Sequence, residues 1–214
     1  MYPINLRLKG RRCAVIGGGK VACRKVRALL AAGALVTVFS PELHSGLLEC
    51  TVRNPACCRW QKTAYVPGLL EGFFLVFCAA DDRSVNQQAA REARQLGVLV
   101  NAASEPELCD FTVPARVERG DLLITVSTGG KSPALARLLR ERLEQEFSEA
   151  DGIWLEHLAV LREQLKRELQ DTHERQAFWR FALQKNILDL VREGHIDQAE
   201  AELKHAIDCF RAES

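Results

Sequence analysis

Residues 17–22, Gly-Gly-Gly-Lys-Val-Ala, stand between an apolar run at 13–16 and a helical run at 21–32. They read G-x-G-x-x-A at a strand-to-helix junction, where glycines let the backbone approach a pyrophosphate and the new helix points unpaired N–H groups at it. Ala22, Val26, Leu29 and Leu30 share one face of that helix, Gly33 ends it, and a second apolar run follows at 35–39. The pattern predicts a βαβ unit, half of a doubly wound parallel sheet, with a dinucleotide at its first turn.

The alternation of strand and helix continues. Residues 41–72 are punctuated by Pro41, Pro55 and Pro67 and predict one more strand with connecting turns. A continuous apolar run at 73–78 leads into Ala79-Ala80-Asp81-Asp82, a helix over 84–96 and a strand over 98–101. Ligands of such sheets lie beyond the carboxyl ends of the strands. Four loops, 17–22, 40–42, 79–81 and 101–104, are therefore expected to converge on one crevice. The cofactor-binding candidates are Gly17, Gly19, Lys20, Val21, Ala22, Ser40, Pro41, Glu42, Ala80, Asp81 and Asn101.

After Pro106 the pattern changes. Two strand candidates, 111–117 and 122–127, are joined at Glu118-Arg119-Gly120-Asp121, which predicts a hairpin instead of a crossover. A polar loop over 127–133 follows, with Ser132 placed to cap a helix and Pro133 at its first position. That helix carries Leu135, Leu138, Leu139 and Leu143 at helical spacing. From residue 150 onward only helical signals remain: Leu158, Leu161, Leu165 and Leu169, then runs over 178–190 and 197–210. Gly130-Lys131-Ser132 is not the end of a P-loop, because Thr125 stands where G-x-x-x-x-G-K-S requires glycine.

With 214 residues, 47% of them hydrophobic, the chain can bury a substantial core. Its net charge of +1, from 29 basic and 28 acidic residues, supplies no overall field for nucleic acid or a membrane surface. Any anionic ligand must be met locally. The opening residues reach charge at Arg7 without a long apolar segment, so the expected location is the cytoplasm. Eight cysteines form no C-x-x-C and no Cys/His cluster of zinc spacing, and the five histidines are scattered; no metal site is expected. The cysteines read as reduced thiols, with the adjacent Cys57-Cys58 as the alternative redox pair.

Four segments together resemble the precorrin-2 dehydrogenase/sirohydrochlorin ferrochelatase family: G-G-G-K-V-A-C-R-K (17–25), C-A-A-D-D-R-S-V-N (78–86), N-A-A-S-E-P-E-L-C-D-F (101–111) and V-S-T-G-G-K-S-P-A-L-A-R-L-L-R (126–140). The resemblance covers nearly the whole chain. It implies an α/β architecture in three parts: an NAD-binding Rossmann domain over 1–112, a strand-and-helix dimerisation segment over 113–148 and a small all-helical domain over 149–214. It also implies a homodimer that oxidises precorrin-2 to sirohydrochlorin with NAD⁺. In some members Fe²⁺ is then inserted, so Fe²⁺ or Co²⁺ is a second expected substrate.

That chemistry needs a cofactor held against the macrocycle, an exit for a proton, and cations for eight carboxylate arms. For the cations, the loop-side candidates are Arg119 and Lys131, with Thr128 beside them. For the proton the sequence departs from the family, which often carries aspartate where this chain has Ser104. The catalytic candidates are thus Ser104 and its neighbour Glu105, with Asp110 as a further carboxylate and solvent as an alternative acceptor. The acid expected at the end of the second strand is displaced to Glu42, which with Arg53 leaves NADP open as an alternative to NAD. Two further readings stay open: a bifunctional dehydrogenase and chelatase, and an NAD(H)-sensing regulatory module.

Overall fold

The computed structural model describes residues 1–103, 105–169, 171–183 and 185–213, with side chains described except at 185, 208 and 211–213. Two compact units divide the chain, Met1–Val113 and Pro114–Ser214.

The first unit is built on strands β1 (Arg12–Ile16), β2 (Leu35–Phe39), β3 (Cys58–Gln61), β4 (Leu75–Cys78) and β5 (Leu99–Ala102). All four pairings are parallel, in the order β3-β2-β1-β4-β5. Strand β1 lies at the centre, and its Cys13, Ala14 and Val15 are fully buried, which explains an apolar run without alternation. The strand order reverses between β1 and β4, so the carboxyl ends of these two strands border the crevice of a doubly wound sheet.

Three helices connect the strands: α1 (Lys20–Ala31), α2 (Ser45–Arg53) and α3 (Arg83–Gln95). Helices α1 and α2 cover one face through Ala22, Val26, Leu29 and Leu47. Helix α3 covers the other through Ala89, Ala90 and Ala93. The expected strand in 41–72 is β3, but the same stretch also holds α2, which the sequence reading did not include. Only Leu47 and Cys50 of its nine residues are buried, and His44 caps it through a ring nitrogen that accepts from Gly46 N at 3.2 Å. So short an apolar stripe leaves little periodicity to read.

The second unit opens with the hairpin of β6 (Ala115–Arg119) and β7 (Leu122–Val126), antiparallel with Arg119 opposite Leu122. The first of these is shorter than the expected 111–117, since Pro114 just before it has no N–H to donate. Helices α4 (Pro133–Glu146), α5 (Glu149–Glu168), α6 (Thr172–Ala182), α7 (Lys185–Arg192) and α8 (Ile196–Glu213) follow. Their core gathers Trp154, Leu165, Phe178, Ile187, Val191 and Leu203. The expected continuous helix over 178–190 is two helices, because α6 ends at a non-helical Leu183 (ψ 68°). Ser132 caps α4 by accepting from Leu135 N, with Pro133 at the helix start. No residue of α4 is buried, and Leu135 and Leu138 are nearly half exposed. Among the described residues, no helix is long and apolar enough to cross a membrane.

Candidate dinucleotide site

The turn after β1 leaves no space for side chains at two of its three glycines. Gly17 has φ +111°, and a Cβ on it would stand 2.3 Å from the Ala79 carbonyl oxygen. A Cβ on Gly18 would stand 1.9 Å from the Glu42 carbonyl oxygen and 2.6 Å from Ser40 Oγ. The turn is thus clasped by the loops after β2 and β4. Two hydrogen bonds fasten it further, Gly17 N to Phe39 O at 2.9 Å and His44 N to Gly18 O at 2.7 Å.

Gly19 differs from both. It is the N-cap of α1, nothing lies within 4 Å of its would-be Cβ, no side chain caps the helix and no acidic residue occupies its first turn. Gly19, Lys20 and Val21 are exposed. Their N–H groups precede that of Cys23, which donates to Gly19 O at 3.0 Å, and the positive end of the helix dipole coincides with them. Together, a cradle too tight for any Cβ and an uncapped helix start match the shape and charge of a pyrophosphate.

In the second loop Ser40 is buried, and its hydroxyl donates to the Glu42 carbonyl at 2.7 Å, while Trp60 Nε1 donates to Ser40 O at 2.8 Å. Pro41 and Glu42 are exposed, and the Glu42 carbonyl packs on Gly18. In the third loop Asn86 of α3, buried to 2% exposure, accepts from Ala80 N at 3.0 Å and donates to Ala80 O at 2.8 Å. Asp81 is exposed, and Asp82 caps α3 by accepting from Ser84 N.

The fourth loop joins through Ala103 N, which donates to Cys78 O at 3.0 Å. Asn101 is buried and donates from Nδ2 to Phe111 O at 2.9 Å. Cys109 accepts from Ala102 N at 3.2 Å. Asp110 accepts from Val100 N at 3.0 Å through its carboxylate and donates its own N–H to Val100 O. The segment thereby runs along the open edge of β5.

Ser104 lies outside the described residues. Its neighbour Glu105 is 1% exposed: Gln87 Nε2 donates to one oxygen at 2.9 Å, and Arg83 Nε stands 3.3 Å from the other, without hydrogen-bond geometry. The expected reserve base is therefore a closed latch between the loop and the first turns of α3, and Asp110 is likewise engaged with backbone. On the α1 side, Lys25 Nζ stands 4.7 Å from the Phe77 ring centroid. Burial, and then the neighbouring Arg24, hold its ammonium below the ordinary lysine pKa.

The substrate-side candidates belong to the second unit. Arg119 is the last residue of β6, not a loop residue, and only 19% of its side chain is exposed. Its guanidinium donates to Phe147 O at 3.0 Å, Glu144 O at 3.2 Å and Glu118 O at 2.9 Å, with the Glu149 carboxylate 3.5 Å away. It caps the carboxyl end of α4, where a cation meets unpaired carbonyls and the negative end of the dipole. Its guanidinium, expected from the sequence as a loop-side cation for the substrate, is thus engaged within its own unit. Thr128 is also engaged, its hydroxyl donating to Ser132 O at 3.0 Å and accepting from Ser132 N at 3.3 Å. Lys131 is exposed. Among the described residues, no group of three or more His, Cys, Asp or Glu side chains is placed to hold a metal ion.

Two contributors escaped the sequence reading. Gly18 is the variable position of the fingerprint, though its environment is the tightest of the three. Asn86 carried one available signal, a polar residue on the otherwise alanine-lined inner face of α3.

Three family models match in chain order: "Putative NAD(P)-binding" over residues 4–115, "Sirohaem biosynthesis protein central" over 119–146 and "Sirohaem synthase dimerisation region" over 152–207. The last description thus falls on the helical stretch, after the hairpin and α4. The siroheme synthase of Nitrosococcus oceani is 38% identical over 96% of this chain and 44% of its own length. That of Photorhabdus laumondii is 37% identical over 96% and 43%. The chain therefore spans less than half the length of these curated relatives. Among solved structures, that of "SirC, precorrin-2 dehydrogenase" superposes with a TM-score of 0.76 at 25% identity, over 94% of this chain and 100% of the other. With a dinucleotide domain, a central segment and a helical region matched in that order, the chain belongs to the precorrin-2 dehydrogenase/sirohydrochlorin ferrochelatase family.

Proposed function

We propose that this chain oxidises precorrin-2 to sirohydrochlorin with NAD⁺, a step toward siroheme. The observation that carries the reading is the glycine cradle, set in a chain whose likeness to a precorrin-2 dehydrogenase is nearly end to end. Bound there, NAD⁺ supplies an acceptor for the hydride that leaves a saturated carbon of the macrocycle.

The chain's own residues do the rest. Backbone N–H groups of Gly19, Lys20 and Val21 hold the pyrophosphate, with Ala22 keeping the helix close against the sheet. The 40–42 loop takes the adenosine ribose, and the exposed Glu42 carboxylate accepts from its hydroxyls, which favours NAD over its 2′-phosphorylated form. Ala80 and Asp81, fixed by Asn86, and Asn101 border the nicotinamide half. With Glu105 latched to α3, the proton that leaves with the hydride passes to solvent, Ser104 serving at most to order it. Lys131, exposed, is the cation offered to a carboxylate arm of the substrate, and Thr128 holds the 128–132 turn that carries it. The homodimer expected of the family is supported by the matched dimerisation region and by the uncovered leucines of α4.

The siroheme synthase relatives favour a second reading, in which Fe²⁺ is a further substrate inserted into sirohydrochlorin. One experiment separates the two. Under anaerobic conditions, precorrin-2 and NAD⁺ should give NADH and sirohydrochlorin in equal amounts, and added Fe²⁺ or Co²⁺ should leave the sirohydrochlorin spectrum unchanged. Conversion to a metallated product would favour the bifunctional reading, and the lack of any NAD-dependent change would overturn the dehydrogenase.

A further inference from the structure

The first unit holds a cluster that the cofactor crevice does not use. Cys23 of α1 and Cys50 of α2 are 6% and 8% exposed. Both lie against Gly46. A Cβ built on that glycine would stand 3.4 Å from Cys23 Sγ and 3.1 Å from Arg27 Nη2, and the Cys50 thiol donates to the Gly46 carbonyl at 3.2 Å. The Arg27 guanidinium is exposed and shares that glycine with both cysteines. Cys50 also lines a surface cavity of about 270 Å³, with Arg27, Leu30, Glu49, Arg53 and Asn54 around it.

A cysteine lining a cavity, a guanidinium beside the glycine it packs on, and a second thiol behind it are the components of an oxidant-responsive pair. We infer that Cys50 and Cys23 form such a pair: a hydroperoxide entering the cavity is reduced at Cys50, and the product is a Cys23–Cys50 disulfide. In the first step the Cys50 thiol gives up its proton as its sulfur attacks one peroxide oxygen; an S–O bond forms, the O–O bond breaks, and the departing oxygen takes up that proton. In the second, Cys23 loses its proton and attacks the Cys50 sulfur; an S–S bond forms and the S–O bond breaks, releasing water. Two thiols are oxidised and one peroxide is reduced. Burial keeps the Cys23 thiol above its ordinary pKa, with Arg27 opposing, so Cys23 stays protonated until Cys50 has been oxidised. The bond would join the two helices that flank the glycine turn, α1 through Gly19 and α2 through the His44 N to Gly18 O bond. In a reducing compartment such a bond is transient, as a signal requires.

Neither step involves the dinucleotide, so the test stands apart from the proposed dehydrogenase. The reduced full chain is treated with equimolar hydrogen peroxide, alkylated in denaturant and digested with trypsin. Mass spectrometry should find peptide 21–24 joined to peptide 28–53, a linkage lost with dithiothreitol. In Cys23→Ser, dimedone should label Cys50. Recovery of Cys23 and Cys50 fully alkylated after peroxide, or a linkage confined to other cysteines such as the exposed Cys57, would overturn the inference; the wild-type digest alone decides it.

Discussion

Asn86 shows how one buried amide can shape a ligand loop it is not part of. It satisfies both backbone polar groups of Ala80 from a helical position six residues further along the chain. Each such bond contributes about 1 kcal/mol, and the unpartnered groups left behind cost more. Asn86→Ala should therefore weaken NAD⁺ binding about tenfold, or ~1.4 kcal/mol, in a fluorescence titration; unchanged affinity would remove the Ala80 loop from the site. Arg119→Ala tests the opposite kind of residue. Having lost three carbonyl bonds and a helix cap, the second unit should lose about 1–2 kcal/mol of stability, while KM for the macrocycle stays within about twofold of wild type, the scatter of an untouched contact. A large rise in KM at unchanged stability would restore Arg119 as a substrate cation. Neither role could be read from sequence, because each depends on bonds to backbone of other segments, and a chain of letters names side chains only. Gly17 was legible for the converse reason, since its positive φ and its place after an apolar strand are local.

Helices and strands with strong local signatures stand close to where their periodicity put them: β1, α1 and β2 agree with the sequence reading to within a residue or so, and Ser132-Pro133 opens α4 as expected. The weak elements were obscured for identifiable reasons. Helix α2 buries two side chains, and the interruption between α6 and α7 lies inside an unbroken apolar spacing, where only backbone angles at Leu183 mark it. A contact between elements was equally hidden. Gly152 lies in α5, and a Cβ on it would stand 2.6 Å from the Arg119 carbonyl oxygen, so the helix and the hairpin turn touch backbone to backbone. Helix propensity alone would make Gly152→Ala stabilising by about 1 kcal/mol. Steric overlap with a peptide group outweighs that, and the substitution should cost the second unit about 1–3 kcal/mol net in a denaturant titration. A gain in stability would mean that α5 and the hairpin part freely.

For the molecule as a whole, the buried thiols are distributed unevenly. Burial pushes Cys13 and Cys58 from 9.0 up to about 11 and Cys78 up to about 12, all in the sheet unit; burial, then the hydrogen bond to Glu92, also raises the Tyr65 phenol. A raised native pKa means that the folded form keeps its proton longer than the unfolded one. The associated stability is complete below pH 9 and is lost as pH climbs toward 11 and 12, at up to about 1.4 kcal/mol per pH unit for each thiol. The helical unit has one cysteine, the partly exposed Cys209. Alkaline melts followed by near-ultraviolet and far-ultraviolet dichroism should thus show the sheet unit failing first. Simultaneous loss of both units, or earlier loss of the helical one, would contradict this ordering.

Of the first six helices, five begin with a side chain that accepts from an early N–H: His44, Asp82, Ser132, Ser148 and Asp171. Helix α1 alone among them begins at a bare glycine. Its nucleotide would then act as a sixth cap as well as a reactant, and amides 19–21 should exchange with deuterium quickly in the free protein and slowly with NAD⁺ bound. Folding and cofactor supply become one equilibrium, so a cell rich in the dinucleotide would hold more of this protein safe from proteolysis before any substrate arrives.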